Sequence, residues 1–228
     1  EHTGNCIGLD LGIKDLIITS DGQKFENKKF LRNSEKKIKH LQRLYSKKTK
    51  GSKNQEKARL KLAIAYEKLS NKRKNYLHKL TTTIVKENSI ICIEDLDVKG
   101  MMKNHRLAKS IADCSFSMIR RILAYKCKWY DRQLIVIDRW SPTSKTCSEC
   151  GYVMKNWNLG IREWDCPNCH THHDRDINAA KNILNEGIKI LDRAVTAQIE
   201  ACGEDSLVAE IQSKSTMKQE NQHTIVVD

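Results

Sequence analysis

Two Cys-x-x-Cys pairs, Cys147/Cys150 and Cys166/Cys169, stand fifteen residues apart, and they constrain this chain more than any other feature. Each pair lets two thiolates from one tight turn reach a single ion. Two such turns supply the closed, tetrahedral S4 site that structural Zn²⁺ prefers. No coordination position remains open, so a single zinc here organises a small ribbon and does no chemistry. A disulfide reading of the nine cysteines fails, because the number is odd and the chain does not begin with an apolar leader. Cys6, Cys92, Cys114 and Cys127 also lie in apolar surroundings that suit reduced, buried thiols. The expected compartment is a reducing cytosol. No run approaches the roughly 18 apolar residues that a membrane span needs.

Charge narrows the class of partner. The formal net charge is +13, but residues 28–80 hold 19 Lys and Arg against 3 acids, a local excess of +16, while the rest of the chain sums to −3. One segment therefore carries the whole excess, which points to a localised face for a polyanion. Within it Ile38, Leu41 and Tyr45, and then Leu62, Tyr66, Leu69, Tyr76 and Leu80, recur at helical spacing on either side of Gly51-Ser52. That pattern predicts an antiparallel helical hairpin. A charged helical face is ordinarily just solvated; here the scarcity of acids favours nucleic-acid contact, with Lys36, Lys37, Arg43, Lys47, Arg59, Lys72 and Arg73 as the expected phosphate ligands.

The remaining segments alternate strand and helix signals. Residues 5–20 read as two short strands closed by Asp21-Gly22, with a third strand from Lys24 to Phe30. Ile90 to Ile93 is a continuous apolar run ending in Glu94-Asp95, as expected of a buried strand. Residues from about Arg106 to Tyr130 follow one helical pattern, and Leu134 to Ile137 read as a further buried strand. Ser141-Pro142 opens the ribbon, an alanine-rich helix spans Asn178 to Leu191, and the polar stretch beyond Gly203 reads as a loosely ordered tail.

Three acidic positions fall at the ends of elements: Asp10 after the first strand, Glu94 after the buried strand, and Asp174 or Asp176 at a helix start. Each alone has an ordinary explanation as a turn former or helix cap. Converging in one sheet, they would repel one another unless a divalent cation neutralised them. Carboxylates from separate strands are the ligands Mg²⁺ prefers, and such sites hold two ions for in-line phosphodiester displacement. No Ser/His/Asp or Cys/His arrangement competes. Gly8-Leu9-Asp10-Leu11-Gly12 is only a weak nucleotide-binding signal, since neither a P-loop nor a Rossmann pattern completes it.

Four stretches together resemble the TnpB (OrfB) family, the transposon-encoded RNA-guided DNA nucleases related to type V CRISPR effectors. They are Ile7-Gly-Leu-Asp-Leu-Gly-Ile-Lys14, Ile93-Glu-Asp-Leu-Asp-Val-Lys-Gly-Met101, Ser144-Lys-Thr-Cys-x-x-Cys-Gly151, and Cys166-Pro-x-Cys169 followed by His173-Asp-Arg-Asp-Ile-Asn-Ala-Ala-Lys-Asn-Ile183. The resemblance implies an RNase H-like (RuvC-like) α/β fold, a mixed sheet carrying an inserted basic helical hairpin and a small zinc ribbon. It implies that Asp10, Glu94 and Asp176 are the catalytic, Mg²⁺-binding carboxylates; Asp176 is preferred to Asp174 because the family's acid stands two residues before the asparagine, here Asn178. Guide RNA and target DNA are the implied partners, and a nucleoid-associated protein of the cytoplasm the implied setting. The family's recognition region precedes the first strand. This chain starts only a few residues before its own, so preceding sequence is expected to be missing.

The expected layout is a nuclease core over 1–140 with the hairpin insert at 31–88, a ribbon at 141–171, the last acidic motif and helix at 172–202, and a tail at 203–228. Two other readings share these motifs: a non-catalytic RNA-guided DNA-binding regulator, and a transposase that transfers strands with the same triad. The triad does not distinguish water from a DNA 3′-hydroxyl as nucleophile, and the sequence is silent on oligomeric state.

Overall fold

The computed structural model describes residues 4–155, 158 and 160–202; the expected tail at 203–228 lies outside the described residues. Strands β1 (Cys6–Asp10), β2 (Asp15–Thr19), β3 (Lys24–Glu26), β4 (Ile90–Glu94) and β5 (Gln133–Ile137) form one mixed sheet in the order β3-β2-β1-β4-β5. The first three strands are antiparallel neighbours, while β1, β4 and β5 run parallel. Parallel neighbours require crossovers. The connection from β3 to β4 contains helices α1 (Phe30–Ser46) and α2 (Lys53–Glu87), and that from β4 to β5 contains α3 (Val98–Met102), α4 (His105–Cys114) and α5 (Phe116–Trp129). Among the described residues, no helix is long and apolar enough to cross a membrane.

Side-chain alternation divides the sheet into two faces. Ile7, Leu9, Ile91 and Ile93 point to one side and join Leu77, Leu80, Ile84, Ile119 and Leu123 of α2 and α5 in the main core. Gly8 and Cys92 point to the other side, where helix α6 (Arg175–Cys202) begins its course. A Cβ on Gly8 would lie 2.1 Å from the Ala180 carbonyl oxygen, and one on Gly187 would lie 2.2 Å from Cys92 Sγ. These two glycines let helix and sheet backbones touch. Gly8, a weak nucleotide-binding signal in the sequence, is therefore a packing residue.

Three sequence expectations change. The third strand stops at Glu26, because Asn27 turns inward to donate to the Ile13 carbonyl (2.8 Å) and Lys29 takes a left-handed conformation just before α1. The single helical pattern from Arg106 to Tyr130 is two helices, broken where Ser115 adopts φ 56°. β5 is a half-buried edge strand, not a fully buried one.

The basic hairpin forms around a break at Gly51, which has φ 79°. Ser52 caps α2 by accepting from the Gln55 N–H (3.1 Å), while Gln55 Oε1 accepts from the Gly51 N–H (2.8 Å). Only Ile38 of α1 is buried, and the buried residues of α2 begin at Leu69. The apolar stripe is thus thinner than its spacing suggests, and Tyr66 instead uses its hydroxyl to accept from Gln42 (2.7 Å).

Candidate active site and metal centre

The register of the parallel strands sets two carboxylates side by side. Leu9 pairs with Ile93, so Asp10 and Glu94 follow at the same level on neighbouring strands, at the C-terminal edge of the parallel sheet. That edge is where open α/β sheets place their sites. Alternation turns Asp10 toward the face that carries α6, because Leu9 is committed to the opposite core, while Glu94, at the end of its strand, borders a cavity lined by Phe116 and Arg120 of α5. The Gly8 contact with Ala180 fixes the first turns of α6 over β1, and Asp176 lies one turn before Ala180.

Electrostatics report the convergence. The Asp10 carboxyl is pushed from 3.8 up to about 7, first by burial, then by the negative charges of Asp176 and Glu94, against a smaller opposing pull from Arg175. Glu94 is raised as well, by burial and by neighbouring Asp95. Asp95 is itself neutralised, since both Arg120 and Arg139 form ion pairs with it. Asp176 receives two donations from Arg175 (2.9 and 2.8 Å) and one from Arg162 (3.3 Å). Asp10 feels the charges of both Asp176 and Glu94, but the three carboxylates are not gathered within 4.8 Å of one another as the four cysteine thiols are.

Asp174 has a different task. Its Oδ1 accepts from the backbone N–H groups of Asp176 (2.9 Å) and Ile177 (3.1 Å), capping α6, and its Oδ2 is held by Lys24 (2.6 Å). Those bonds to the charged form hold its carboxyl below the usual range, outweighing burial.

The thiols of Cys147, Cys150, Cys166 and Cys169 come together so that all their ligand atoms lie within 4.8 Å of one another, the one such cluster among the described residues. Two backbone turns build the cluster. Gly151 N–H returns to the Cys147 carbonyl (2.9 Å) with φ 74°, and His170 N–H returns to the Cys166 carbonyl (2.8 Å) with φ 58°. Cys150 is lowered to about 6, chiefly by the Asn168 side chain and the Tyr152 N–H, while burial pushes Cys147 up to about 12, so the geometry of the four thiols carries the metal reading. Strands β6 (Glu163–Asp165) and β7 (His172–Asp174) form the ribbon's hairpin, and β7 runs directly into α6. The four cysteines form a set that can hold one zinc ion.

Sequence reasoning missed how the ribbon is tied to α6. Asn178 and Asn182, both buried, donate to the carbonyls of Thr146 (2.7 and 2.6 Å) and Thr143 (2.8 Å), and Asn178 Oδ1 accepts from the Ser148 N–H (2.9 Å). Their i,i+4 spacing on an alanine-rich helix is the available signal. His173 Nε2 lies 3.1 Å from Cys147 Sγ, and its ring packs on Trp164. Hydrogen bonds thus join the segment around Cys147 to the early turns of α6, the helix on which Asp176 stands.

In the basic hairpin, Lys36, Lys37, Arg43, Lys47 and Lys72 are exposed, and Arg59 pairs with Glu56 on the surface (2.6 Å). Arg73 is a correction. Its guanidinium bonds Asp113 (3.0 Å), a buried acid that also accepts from the Leu31 N–H (2.9 Å) and starts α1, so Arg73 is committed to the interior.

Comparison with known proteins agrees with this layout. A family model described as "Probable transposase", OrfB_IS605, matches residues 1–105, and the Cas12f1-like TNB domain model matches residues 116–183. A protein of Streptomyces pristinaespiralis is 45% identical over 186 residues, 82% of this chain and 46% of its own length. The chain belongs to the TnpB family. InsQ of Escherichia coli is 33% identical over 96% of this TnpB-family chain and 54% of its own length; both relatives carry the name "Putative RNA-guided DNA endonuclease". The chain spans about half the length of these relatives. A cryo-EM structure of a Cas12f1-sgRNA-target DNA complex superposes with TM-score 0.57 at 21% identity, over 81% of this chain and 50% of that one. That match and the β3-β2-β1-β4-β5 order give the TnpB-family chain the expected RNase H-like fold.

Proposed function

We propose that this chain is the cleavage core of an RNA-guided DNA endonuclease, which hydrolyses DNA phosphodiesters with Mg²⁺ held by Asp10, Glu94 and Asp176. One observation carries the reading: the register that pairs Leu9 with Ile93 sets Asp10 and Glu94 side by side at the C-terminal edge of the parallel strands, where burial, Asp176 and Glu94 lift Asp10 to about 7. Such mutual repulsion is relieved by a hard divalent cation, and the donor set is all oxygen, which suits Mg²⁺. When bound, the metal would supply the charge that activates water and stabilises the leaving 3′-oxygen.

The chain's own residues do the rest. Asp10 and Glu94 are fixed by strand register. Asp176 is held by α6, whose start is capped by Asp174 and whose position depends on the ribbon through Asn178 and Asn182. One zinc at the four cysteines would keep that support rigid. Guide RNA pairing would deliver an opened target strand and read its sequence, and the exposed lysines of the hairpin would meet nucleic-acid phosphates.

Cleavage of guide-matched DNA in Mg²⁺ or Ca²⁺ tests the reading. Cleaved, unjoined products in Mg²⁺ are expected, with binding but no cleavage in Ca²⁺, whose looser shell at about 2.3–2.6 Å does not reproduce the tight octahedron of Mg²⁺. Joined strands would make the chain a transposase. Binding without cleavage in either metal would make it a regulator.

A further inference from the structure

Glu94 borders a cavity of about 310 Å³ whose apolar lining is Leu11, Leu96, Val98, Phe116 and Ala124, joined by the exposed residues Ser117, Arg120 and Arg121. The two arginines differ. Arg120 is engaged with Asp95, whereas Arg121 is exposed and, among the described residues, makes neither an ion pair nor a hydrogen bond. The cavity is at the small end of the roughly 300–1,000 Å³ found for ligand sites, and like them it pairs apolar walls with few polar groups. A free anion would be repelled by Glu94, which lines the cavity. A neutral, flat group attached to an anion that stays outside fits both halves.

We propose that this cavity is a nucleoside subsite for the DNA strand being cut: one base enters between the apolar walls while the guanidinium of Arg121 holds the adjoining phosphate. Apolar walls accept the face of any base, so the subsite holds a strand without reading it. Arginine suits the phosphate because its planar fork offers parallel donors to two oxygens. Since Glu94 lines the same cavity, a seated base sets the neighbouring phosphodiester at the carboxylate edge. The identity of the strand rests on the nuclease reading, while the base-plus-phosphate chemistry rests on the cavity alone.

The test measures binding of the zinc-loaded protein, in Ca²⁺, to a short single-stranded oligodeoxynucleotide and to a strand of equal length with every base replaced by an abasic sugar. The parent protein is expected to prefer the base-bearing strand by about tenfold, the order of one stacked base. Ala124→Leu, which fills the cavity from α5, should abolish most of that preference and leave affinity for the abasic strand unchanged; Ser117→Leu, at a second lining position on α5, is the second filling variant. Arg121→Ala should lower the salt slope by about 0.7 while keeping the preference for bases. Equal binding of the two strands by the parent, or full preference in both filled variants, would overturn the subsite. Mg²⁺-dependent cleavage alongside such a result would leave the nuclease reading intact. A preference lost on filling, in a protein that never cleaves, would keep the subsite and remove the nuclease.

Discussion

Replacing Asp10 by Asn should stabilise this protein in the absence of divalent cations other than any zinc held by the four cysteines, and the size of the effect should depend on pH. The folded-state value of about 7 lies above the ordinary 3.8. Between those values the folded protein retains a proton that the unfolded chain has released. The stability linked to that proton is full below about pH 3.8 and is lost as pH rises through 7. A shift of about 3 units corresponds to about 4 kcal/mol at most. At pH 8 the wild type bears nearly all of that penalty; at pH 5, where folded Asp10 is still protonated, it bears about 1.6 kcal/mol. Asn keeps the shape and removes the charge. Urea denaturation of wild type and Asp10→Asn at both pH values is the assay, with an advantage for the variant of up to about 4 kcal/mol at pH 8 and less than half of it near pH 5. Added Mg²⁺ should stabilise the wild type at pH 8 by mass action and the variant far less. An advantage that does not change with pH, or a variant less stable than wild type at pH 8, would refute the raised Asp10 carboxyl.

Other outcomes follow from the same contacts. Arg73→Ala should cost about 1–3 kcal/mol in urea denaturation because buried Asp113 loses its charge partner and keeps only the Leu31 and Arg32 N–H donors, whereas Lys72→Ala should stay within about 0.5 kcal/mol. Asn182→Ala leaves the Thr143 carbonyl without its donor and removes one from Thr146, at about 1–3 kcal/mol; it should speed zinc loss to a chelator in a colorimetric assay. Reversing the charges of Lys36, Lys37, Arg43 and Lys47 should flatten the salt dependence of nucleic-acid binding by about 0.7–0.9 per lost phosphate contact, and an unchanged slope would make the hairpin a solvated face.

Local chemistry was legible in the sequence and tertiary coupling was not. The cysteine spacing announced the ribbon because zinc ligation is a local demand on two turns. The apolar run Ile90 to Ile93 announced a strand whose end carries Glu94. Leu134 to Ile137 read alike, yet β5 stands at the sheet's edge, since periodicity measures the character of a strand and not its number of neighbours. Ser115 shows a second limit: one left-handed residue splits a continuous helical pattern without disturbing its spacing. Arg73 shows a third, because a basic residue in a basic run is indistinguishable from its neighbours until Asp113, forty residues away, is seen to need it. The choice between Asp174 and Asp176 came from family resemblance. The structure adds a physical reason to separate them, since Asp174 spends its oxygens on the α6 cap and Lys24.

Cleavage of guide-matched DNA in Mg²⁺, compared across Asp10→Asn, Glu94→Gln, Asp176→Asn and Asp174→Asn, tests the central claim most directly. The first three variants should lose cleavage while keeping nucleic-acid binding and zinc, because their carboxylates serve the transition state and not the grip on substrate. Asp174→Asn should retain most activity, since Asn also caps helices well. Full cleavage by the Asp176 variant, or loss of binding in all three, would contradict the account.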